Sequence, residues 1–452
     1  MRTLVLVDGE HFPPVVRAAI EHLPDRFPGS RVIGAALLGG SEKLAGTGLP
    51  DLGLPVVAGA SPDAALLAGL RRFQPEVVVD LADEPVVDAR TRLRLAARCL
   101  AAGVAYRGAD FDFRPPPRPR VATKPSIAVI GTGKRTGKTA VAAHLARALR
   151  ERGTPPVVVA MSRGGPPDPE LVDPAVFDLS PAGLLRLADS GRHAASDHLE
   201  DALVAGIATV GTRRCGGGLA GAPVDATFAA GVALANTRPE SLLLYEGSGQ
   251  AIPPVHADVT VCVVPAWVDL ELLTGYLGAY RVLLSDLVVV TMAERSLADS
   301  GRITSIERGV RGLAPGLRVV STVLRPVPLE SISGHRVFFA TTAAASTDDL
   351  MVTHLEGEHG GMVVGTSHNL GHRAKLAADL EAAADAEILL VELKAAAIDV
   401  AARLAQARGM RVVFCDNRAV LVGGEGTCDD LGPELAATAV DRFERTLEPS
   451  RP

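Results

Sequence analysis

The sequence predicts an α/β protein in which helices cover both faces of parallel β-sheets. Short apolar runs alternate along the whole chain with stretches of helical periodicity, which is the pattern of β-α-β units. A glycine-rich turn at residues 131–139 joins one of these apolar runs to a helix. The chain has 452 residues, of which 47% are hydrophobic, and at roughly 150 residues per domain its length indicates about three domains.

Residues 1–115 form the first predicted domain. The apolar runs TLVLVDG, RVIGAALLGG, LPVVAG and EVVVDLADEP predict buried strands, while PVVRAAIEHL and RTRLRLAARCLAAG predict helices. The following stretch, FRPPPRPRVATKP, is rich in proline and basic residues and lacks periodicity. We therefore interpret residues 116–125 as a stiff linker, with a surface loop inside one domain as the alternative.

The remaining chain continues the same rhythm in two blocks. Residues 126–325 hold the strand-like runs SIAVIG, PVVVAM, SLLLYEG, VTVCVVPA and SDLVVVTMAE, with the helix AVAAHLARALRERG after the glycine-rich turn. Residues 326–452 hold the runs HRVFFATTA, GMVVGTSHN, AEILLVELKAAAIDVAARLAQARG and MRVVFCDN. This last block is predicted to form a third, smaller α/β domain.

Composition excludes several classes of partner. The 46 Lys and Arg residues against 52 Asp and Glu give a net charge of −6, and aromatic residues make up only 4%. Bulk binding to nucleic acid or to an anionic membrane is therefore not expected, although a local basic pocket is compatible with this balance. Neither a signal peptide nor an apolar run of roughly 18 residues is present, so we expect a cytoplasmic protein. The cysteines are odd in number and form no CxxC pair, which predicts neutral residues rather than disulfides or zinc ligands: Cys99, Cys215, Cys262, Cys415 and Cys428.

The strongest motif is the turn GTGKRTGKT, which lies between a predicted strand and a helix. Backbone amides in such a turn surround phosphate oxygens, and the helix N-terminus adds partial positive charge. Lys138 is predicted to reach the β- and γ-phosphates of a nucleotide, and the Thr139 hydroxyl to bind Mg²⁺. Lys134 and Arg135 are predicted to contact the γ-phosphate or an acceptor, with solvated surface charge as the alternative. The predicted nucleotide-binding residues are Gly131, Thr132, Gly133, Thr136, Gly137, Lys138 and Thr139.

A carboxylate suited to the metal follows in SLLLYEGSGQAIPPV. Glu246 ends a predicted buried strand and precedes glycines, which is a usual place for a residue that holds Mg²⁺ or its water beside a phosphate loop. We predict that Glu246 binds the metal or acts as a catalytic carboxylate, the alternative being a residue that caps a turn. The predicted architecture is thus a central P-loop NTPase domain flanked by Rossmann-like α/β domains.

Several basic residues between the loop and Glu246 are candidates for binding an anionic acceptor. Arginine gives bidentate contacts to phosphate, and glycine-rich surroundings permit close approach. These candidates are Arg163, His193, His198, Arg213 and Arg214, and for each of them ordinary surface charge is the alternative. Cys215 follows directly, but no base stands beside it in the sequence, so a nucleophilic role is not favoured.

Other polar residues follow predicted strands in the flanking blocks. Because ligands bind at the carboxyl ends of parallel strands, we consider two acidic groups as candidates, with loop and cap chemistry as the alternative. The substrate-binding candidates here are Asp8, Glu10 and His11, and the second group is Asp80, Asp83 and Glu84. In the last block His354, His359, His368 and His372 fit no standard metal spacing and are interpreted as polar loop or substrate contacts. Lys394 and Asp399 lie near a predicted helix start and could approach a cleft between domains.

The phosphate loop has one residue more than the GxxxxGK[ST] pattern between its first glycine, Gly131, and Gly137. In this form, and in the YEGSG segment, the central block resembles dethiobiotin synthetases. Over the whole chain the sequence resembles the cyclic 2,3-diphosphoglycerate synthetase family. The resemblance rests on VDGEHFPPV, VVDLADEPV, IGTGKRTGKTAV, GRHAASDHLEDAL, CGGGLAG and YEGSGQAIPPV, in this order.

The resemblance implies an enzyme that uses ATP and Mg²⁺ to close 2,3-bisphosphoglycerate into a cyclic phosphoanhydride, with release of ADP and phosphate. Its site residues would be Lys138, Lys134, Arg135 and Glu246, and a homodimer is expected by analogy with other P-loop proteins. Phosphorylation of 2-phosphoglycerate is a conceivable side activity. The alternatives are another P-loop ligase that activates a carboxylate, and a nucleotide switch that controls a partner protein.

Overall fold

A computed structural model describes residues 1–40, 49–294, 297–383, 385–424 and 428–448 of the chain. These residues form two compact units. Unit 1 comprises Met1–Pro117, Asp269–Leu284 and Gly309–Pro315, and unit 2 comprises Arg118–Val268, Ser285–Arg308 and Gly316–Pro452. In the part of the chain that the structure describes, every helix is too short or too polar to cross a bilayer.

The first part of unit 1 is a parallel sheet with helices. Its strands are β1 (Arg2–Val7), β2 (Arg31–Leu37), β3 (Val56–Ala58), β4 (Val77–Asp80), β5 (Ala105–Arg107) and β6 (Asp112–Phe113). Its helices are α1 (Pro13–Glu21), α2 (Leu23–Arg26), α3 (Pro62–Phe73) and α4 (Ala89–Ala101). Within the described residues the strand order is β3-β2-β1-β4-β5-β6, and only the β5–β6 pair is antiparallel. This is the Rossmann-like arrangement predicted for the N-terminal block.

Local sequence explains where these helices begin. The Asp88 side chain accepts a hydrogen bond from the Thr91 N–H at 2.7 Å, and Ser61 caps α3 in the same manner, each with its side chain placed before the first turn. In β1 every residue after Arg2 is buried, as expected for a strand that is covered on both faces.

Unit 2 begins with the strand before the phosphate loop. The elements up to the middle of the chain are β7 (Ser126–Gly131), α5 (Lys138–Glu151), β8 (Pro156–Ser162), β9 (Glu170–Val172), α6 (Pro181–Asp189), α7 (Asp197–Ala205), β10 (Thr209–Cys215), β11 (Asp225–Ala226), α8 (Phe228–Asn236), β12 (Leu242–Glu246) and β13 (Val259–Pro265). The helices α9 (Leu270–Thr274) and α10 (Ala279–Leu283) follow along the chain and belong to unit 1.

The later elements belong to unit 2, apart from the last residues of one helix, Gly309–Leu313, which belong to unit 1. They are β14 (Leu287–Thr291), α11 (Ser300–Leu313), β15 (Arg318–Pro328), β16 (Arg336–Ala340), α12 (Asp348–His359), β17 (Met362–Ser367), α13 (Arg373–Ala382), β18 (Ile388–Glu392), α14 (Arg403–Ala407), β19 (Arg411–Gly423) and α15 (Cys428–Leu447). A π-helix at Ala397–Ala402 precedes α14.

The strands of both blocks in unit 2 form one continuous sheet. Among the described residues its order is β11-β10-β8-β12-β7-β13-β14-β15-β19-β18-β16-β17, with β9 on β10. From β10 to β15 all neighbours are parallel, and β19, β18, β16 and β17 are parallel to one another. The two sets are joined by the antiparallel pair β15–β19. The C-terminal block therefore has the predicted α/β pattern, but its sheet extends the P-loop sheet instead of standing apart.

The register of the long strand β15 places the carboxyl edges of the two sets opposite each other. Ser321 of β15 pairs with Val290 near the end of β14, whereas Pro328 pairs with Cys415, which in turn pairs with Glu392 at the end of β18. The two edges are thus separated by seven residues of β15, on the order of 20 Å at about 3.3 Å per residue. Loops that follow strands of either set consequently face a common space within unit 2.

Residues 118–125 are part of unit 2. Arg120 donates to Asp258 Oδ1 at 2.7 Å, and the Asn236 amide donates to the Val121 carbonyl at 2.9 Å. These contacts favour the surface-loop interpretation for this half of the proline-rich stretch. The domain boundaries at residues 115, 125 and 325 stay predictions.

Candidate active site

The phosphate loop has the geometry that its sequence predicts. The strand β7 is buried throughout and ends at Gly131, and α5 begins at Lys138. Gly137 has φ +84°, and a Cβ at this position would lie 3.2 Å from the Thr291 side chain, so both backbone conformation and space require glycine. The Thr291 hydroxyl donates to the Thr136 carbonyl at 2.7 Å and fixes the loop from β14.

Lys138 is buried inside the loop. Its Nζ donates to the Gly133 carbonyl at 2.7 Å and to Thr136 Oγ1 at 3.3 Å. Burial lowers the pKa of Lys138 to about 8, and the neighbouring Lys394 ammonium acts in the same direction, while Glu246 opposes it. The ammonium thus lacks a carboxylate partner in direct contact among the described residues, which suits a group that exchanges a backbone carbonyl for a phosphate.

Thr139 and Glu246 meet beside the loop. The Thr139 hydroxyl donates to Glu246 Oε1 at 2.7 Å, because β12 lies next to β7 and carries Glu246 at its carboxyl end. The second oxygen, Glu246 Oε2, is buried and accepts from no N–H or hydroxyl group of the described residues, while the Asp201 carboxyl of α7 is a hydrogen-bond partner of the Glu246 carboxylate. The prediction that these two residues lie together is consistent with this geometry, while their binding of a metal stays a prediction.

Helix α7 adds carboxylates that the sequence reasoning did not select. Asp197, Glu200 and Asp201 lie at i, i+3 and i+4, which places them on one face of the helix. Asp201 is 1% exposed and accepts from no N–H or hydroxyl group in the described part of the chain, and its carboxyl shares a hydrogen bond with that of Glu246. Burial and the adjacent Glu246 carboxylate raise the pKa of Asp201 well above its usual range.

The same physical causes act on the other acids of this group. Burial raises the pKa of Asp197, of Glu246 and of Glu200, the last to about 8. Buried carboxylates that raise one another's pKa are costly to maintain, and they cluster at functional sites more often than elsewhere. The spacing DHLED within GRHAASDHLEDAL is the sequence signal that could have identified this acidic face.

Lys394 reaches this group from the C-terminal set of strands. It follows β18, and its Nζ lies 3.0 Å from Glu200 Oε1. The sequence expectation that Lys394 approaches a cleft agrees with this position, which lies where the two carboxyl edges face each other. Asp399, by contrast, forms an ion pair with Arg373 at the surface.

Three of the predicted basic candidates lie near the segment that follows Glu246 or near Asp197 of α7. An added Cβ at Gly249 would lie 2.8 Å from Arg163 Nη2 and 3.2 Å from Arg214 Nη2, so both guanidinium groups border this glycine. The ring of His193 lies against Gly164 in the loop after β8. Arg214 is 9% exposed, and burial together with the Arg163 charge lowers its pKa. Arg214 donates to the Gly216 and Ser248 carbonyls at 2.8 Å, and among the described residues neither arginine forms an ion pair, which favours an anion beside them.

The side chains of the other two basic candidates, Arg213 and His198, do not join this group. Side chains alternate along a strand, so Arg213 in β10 projects from the face opposite Arg214 and is exposed. His198 is 3% exposed, and its Nδ1 lies 2.9 Å from Ser196 Oγ and its ring against Gly211 of β10. Burial lowers the pKa of His198 to about 4, so the ring is neutral at pH 7. The structure does not support a substrate contact for His198.

A cavity of about 350 Å³ lies between the loop and the C-terminal strands of unit 2. Arg135 and Gly137 border it on the loop side, and Lys394 borders it on the other side. Its walls include apolar side chains from β15 and from the segments after β13 and β14, namely Trp267, Met292, Leu297 and Leu324. They also include polar side chains that follow the C-terminal strands, namely Thr342, Thr347 and His368. Sequence analysis did not identify this cavity, because its walls come from distant parts of the chain.

The two remaining cationic predictions differ in their surroundings. Arg135 has φ +59°, and its Nη2 would lie 2.7 Å from a Cβ at Gly371, so it extends from the loop toward the C-terminal residues. Lys134 is exposed and forms no ion pair within the described ranges. Both stay candidates for contact with phosphate.

The acidic candidates Asp8 and Asp80 of unit 1 form hydrogen bonds with other residues of that unit. Asp8 accepts hydrogen bonds from the N–H groups of Glu10 and His11 and from the His11 ring at 2.8 Å, while its other oxygen accepts from the Asp83 N–H. Asp80 accepts from Arg92 and from the Tyr106 hydroxyl. These contacts favour loop and cap chemistry for Asp8 and Asp80.

The predicted histidine group of the C-terminal block is dispersed. The rings of His354 and His359 lie 5.4 Å apart on α12, His368 contacts the Ala343 carbonyl, and His372 caps α13. Over the described residues, no three or more His, Cys, Asp or Glu side chains form a group suited to a metal ion. Cys215 is a free, exposed cysteine.

Sheet topology, loop geometry and the buried lysine together define a P-loop nucleotide-binding protein. The family models for cyclic 2,3-diphosphoglycerate synthetase match the chain with their N-terminal domain at residues 2–114, their P-loop domain at 126–323 and their C-terminal domain at 328–418. The predicted fold class is confirmed.

Relatives match over almost the full length. The cyclic 2,3-diphosphoglycerate synthetase of Rubrobacter xylanophilus is 47% identical over 426 residues, which cover 94% of this chain and 96% of that protein. The proteins of the same name from Methanothermobacter thermautotrophicus and Methanothermus fervidus are 41% and 40% identical, over 99% and 98% of this chain and 98% of each relative. The chain belongs to the cyclic 2,3-diphosphoglycerate synthetase family, which confirms the resemblance found in its sequence.

Proposed function

We propose that this protein closes 2,3-bisphosphoglycerate to cyclic 2,3-diphosphoglycerate at the expense of ATP. The observation that carries the proposal is the position of Arg163 and Arg214 at the segment that follows Glu246, from which Gln250 donates to the Thr132 carbonyl of the phosphate loop at 2.9 Å. A nucleotide on the loop and a multiply charged anion at these arginines would therefore adjoin each other. The family to which the chain belongs supports the same reaction.

The residues that line the cavity indicate how a bound nucleotide would be oriented. Apolar walls from Trp267, Met292 and Leu324 suit a purine base, and the loop residues Arg135 and Gly137 at its border lead to the phosphate-binding amides. The base then occupies the cavity on the β14 side, and the terminal phosphate lies on the β12 side near Glu246. This orientation directs the γ-phosphate toward Arg163 and Arg214.

The residues beside the loop fit Mg²⁺. A hard cation prefers hydroxyl and carboxylate oxygens, and it is usually held by one or two carboxylates together with phosphates and water. Thr139 and Glu246 supply such oxygens, and the buried Asp201 carboxyl that shares a hydrogen bond with Glu246 adds a further oxygen suited to a cation or its water. When bound, Mg²⁺ would neutralise charge that develops on the phosphates.

Two phosphoryl transfers account for the reaction. An oxygen of one substrate phosphate attacks the ATP γ-phosphorus, the bond to the ADP oxygen breaks, and ADP leaves. The first substrate phosphate now carries the former γ-phosphoryl group. An oxygen of the other substrate phosphate attacks the ester phosphorus of this first phosphate, and the former γ-phosphoryl group leaves as inorganic phosphate when the ring closes. ATP and bisphosphate thus yield cyclic product, ADP and phosphate.

The chain's own cations make both steps feasible. Each step brings anions together, and the loop amides with Lys138 would hold the terminal phosphate, while Arg163 and Arg214 would hold the substrate phosphates. Lys134 and Arg135 extend the cationic surface around the loop. Holding both phosphates within one site also replaces a bimolecular encounter by a positioned one.

Phosphorus-31 NMR of the purified protein with MgATP and 2,3-bisphosphoglycerate tests the proposal. The expected result is a cyclic anhydride signal together with ADP and phosphate, all absent with Lys138→Ala. Unchanged bisphosphate with either protein would refute the proposed reaction. Turnover of ATP without any phosphorylated acceptor would refute the coupling between the two sites.

A further inference from the structure

Lys394 occupies a position that neither a surface role nor a simple core role explains. Its side chain is 31% exposed and borders the cavity, although its Nζ is paired with the buried carboxylate of Glu200 at 3.0 Å. It comes from the C-terminal set of strands, whereas Glu200 belongs to α7 of the P-loop set. Both sets belong to unit 2.

The backbone around Lys394 is held in an uncommon conformation. The Lys394 N–H donates to the Glu392 carbonyl at 2.8 Å, Ala395 has φ +49°, and the π-helix begins at Ala397. A non-glycine residue in the left-handed region and a π-helix are both infrequent, and they occur preferentially where a side chain must be held in one place. Here they fix the turn that presents Lys394 at the end of β18.

Lys394 lies at the phosphate loop. It borders the same cavity as Arg135 and Gly137 of the loop, and its partner Glu200 is on the face of α7 that carries Asp201, the hydrogen-bond partner of Glu246. Lys138 and Glu246 mark the terminal-phosphate end of the loop. A second ammonium at this end, open to the cavity, is placed to meet the outermost phosphate of a nucleotide.

We propose that Lys394 contacts the terminal phosphate of bound ATP and so makes the C-terminal strands part of the nucleotide site. The inference rests on the nucleotide orientation proposed above. Glu200 holds the ammonium when no nucleotide is bound, and the γ-phosphate then takes over part of this pairing. ADP lacks that phosphate and does not engage Lys394.

Calorimetric titration compares the Mg²⁺ complexes of a non-hydrolysable ATP analogue and of ADP. Loss of one charged hydrogen bond predicts that Lys394→Met binds the ATP analogue about 10- to 100-fold more weakly. ADP binding is expected to change by less than about threefold, on the same scale of affinities. Lys375→Met, at an exposed position of α13, is the matched control and is expected to bind both nucleotides as the wild type does.

Glu200→Gln separates a phosphate contact from a purely structural ion pair. Burial already favours the neutral form of Glu200, so glutamine is a mild replacement that leaves Lys394 in place. Because Glu200 and the γ-phosphate compete for Lys394, we expect Glu200→Gln to keep or increase the wild-type ratio of ATP to ADP affinity, and the double variant Lys394→Met/Glu200→Gln to lose it. Equal effects of Lys394→Met and Glu200→Gln on both nucleotides would overturn the proposal, as would unchanged ATP affinity in the double variant.

The double variant also covers the case in which Lys394→Met does not fold, because it leaves no unpaired buried carboxylate at position 200. The titrations require no acceptor. A protein that binds both nucleotides but forms no cyclic product would therefore contradict the proposed reaction and leave the Lys394 comparison intact.

Discussion

His198 provides a quantitative test of how the site is divided between ligand-binding and structural side chains. It lies on α7 only one residue from Asp197, yet its ring packs against Gly211 and is 3% exposed. His198 Nε2 meets no hydrogen-bond partner among the described residues, and Glu170 Oε2 is 4.0 Å away. A ring in this position is stable when neutral and costly to protonate.

The cost follows from the two pKa values. Burial, assisted by the Arg192 and His193 charges and opposed by Glu170, lowers the His198 pKa from 6.5 to about 4. The unfolded chain therefore binds a proton between pH 6.5 and 4 that the folded chain does not bind, and stability falls as the pH is lowered through this window. Between pH 7 and pH 5 the loss is about 2 kcal/mol from this one residue.

Urea unfolding at a series of pH values measures this contribution. The chain has one tryptophan, Trp267, which belongs to the same unit as His198, so its fluorescence reports unfolding of that unit. We expect the unfolding free energy of His198→Gln to fall by about 2 kcal/mol less than that of the wild type between pH 7 and pH 5. Parallel pH profiles would refute the structural assignment, and so would a raised KM for bisphosphate in the variant at pH 7.

Four further outcomes test the site. Lys138→Ala is expected to lower ATP turnover with bisphosphate by about 100-fold or more in a coupled ADP assay, because the terminal phosphate loses its buried cation. Glu246→Gln is expected to raise the Mg²⁺ concentration needed for half-maximal rate by about tenfold, and an unchanged Mg²⁺ dependence would exclude Glu246 from the metal site. Arg214→Met is expected to raise the KM for bisphosphate by about 10-fold or more, whereas Arg213→Met, on the opposite face of the strand, leaves it unchanged; equal effects would contradict the assigned faces. Binding of ADP is expected to change the fluorescence of Trp267, and no change would place the base outside the cavity.

Sequence alone was sufficient where structure is determined locally. The phosphate loop needs only a strand, a helix and glycines at fixed positions, and Gly137 with its positive φ occupies the place that the motif assigns. Glu246 could be predicted because a carboxylate at the end of a buried strand faces the same edge as the loop. The loop geometry is determined by residues near in sequence, whereas the position of Glu246 beside the loop also requires that β12 lie next to β7.

The basic candidates show where local reasoning was insufficient. Arg213 and Arg214 are adjacent in sequence, and only the burial of one face of β10 tells which of them turns toward Glu246. On α7, successive residues are rotated by about 100°, so His198 leaves the face that Asp197 and Asp201 share. His198 was predicted because it is a basic residue near the phosphate loop in the sequence. The acids of α7 were not predicted, although their helical spacing is visible in the sequence.

The cavity and Lys394 depend on a feature that no short segment of sequence carries. Each set of strands, taken alone, ends in loops that face solvent. The antiparallel pairing of β15 with β19 reverses the second set, so that the loops after β18 face those after β7 and β12. Parallel strands place ligand-binding loops at one edge of a sheet. Because the second set of strands is reversed, two such edges border a single space. A nucleotide bound there would contact chain segments more than 250 residues apart, Lys138 and Lys394 among them, which is why the P-loop block by itself would form only one wall of the site.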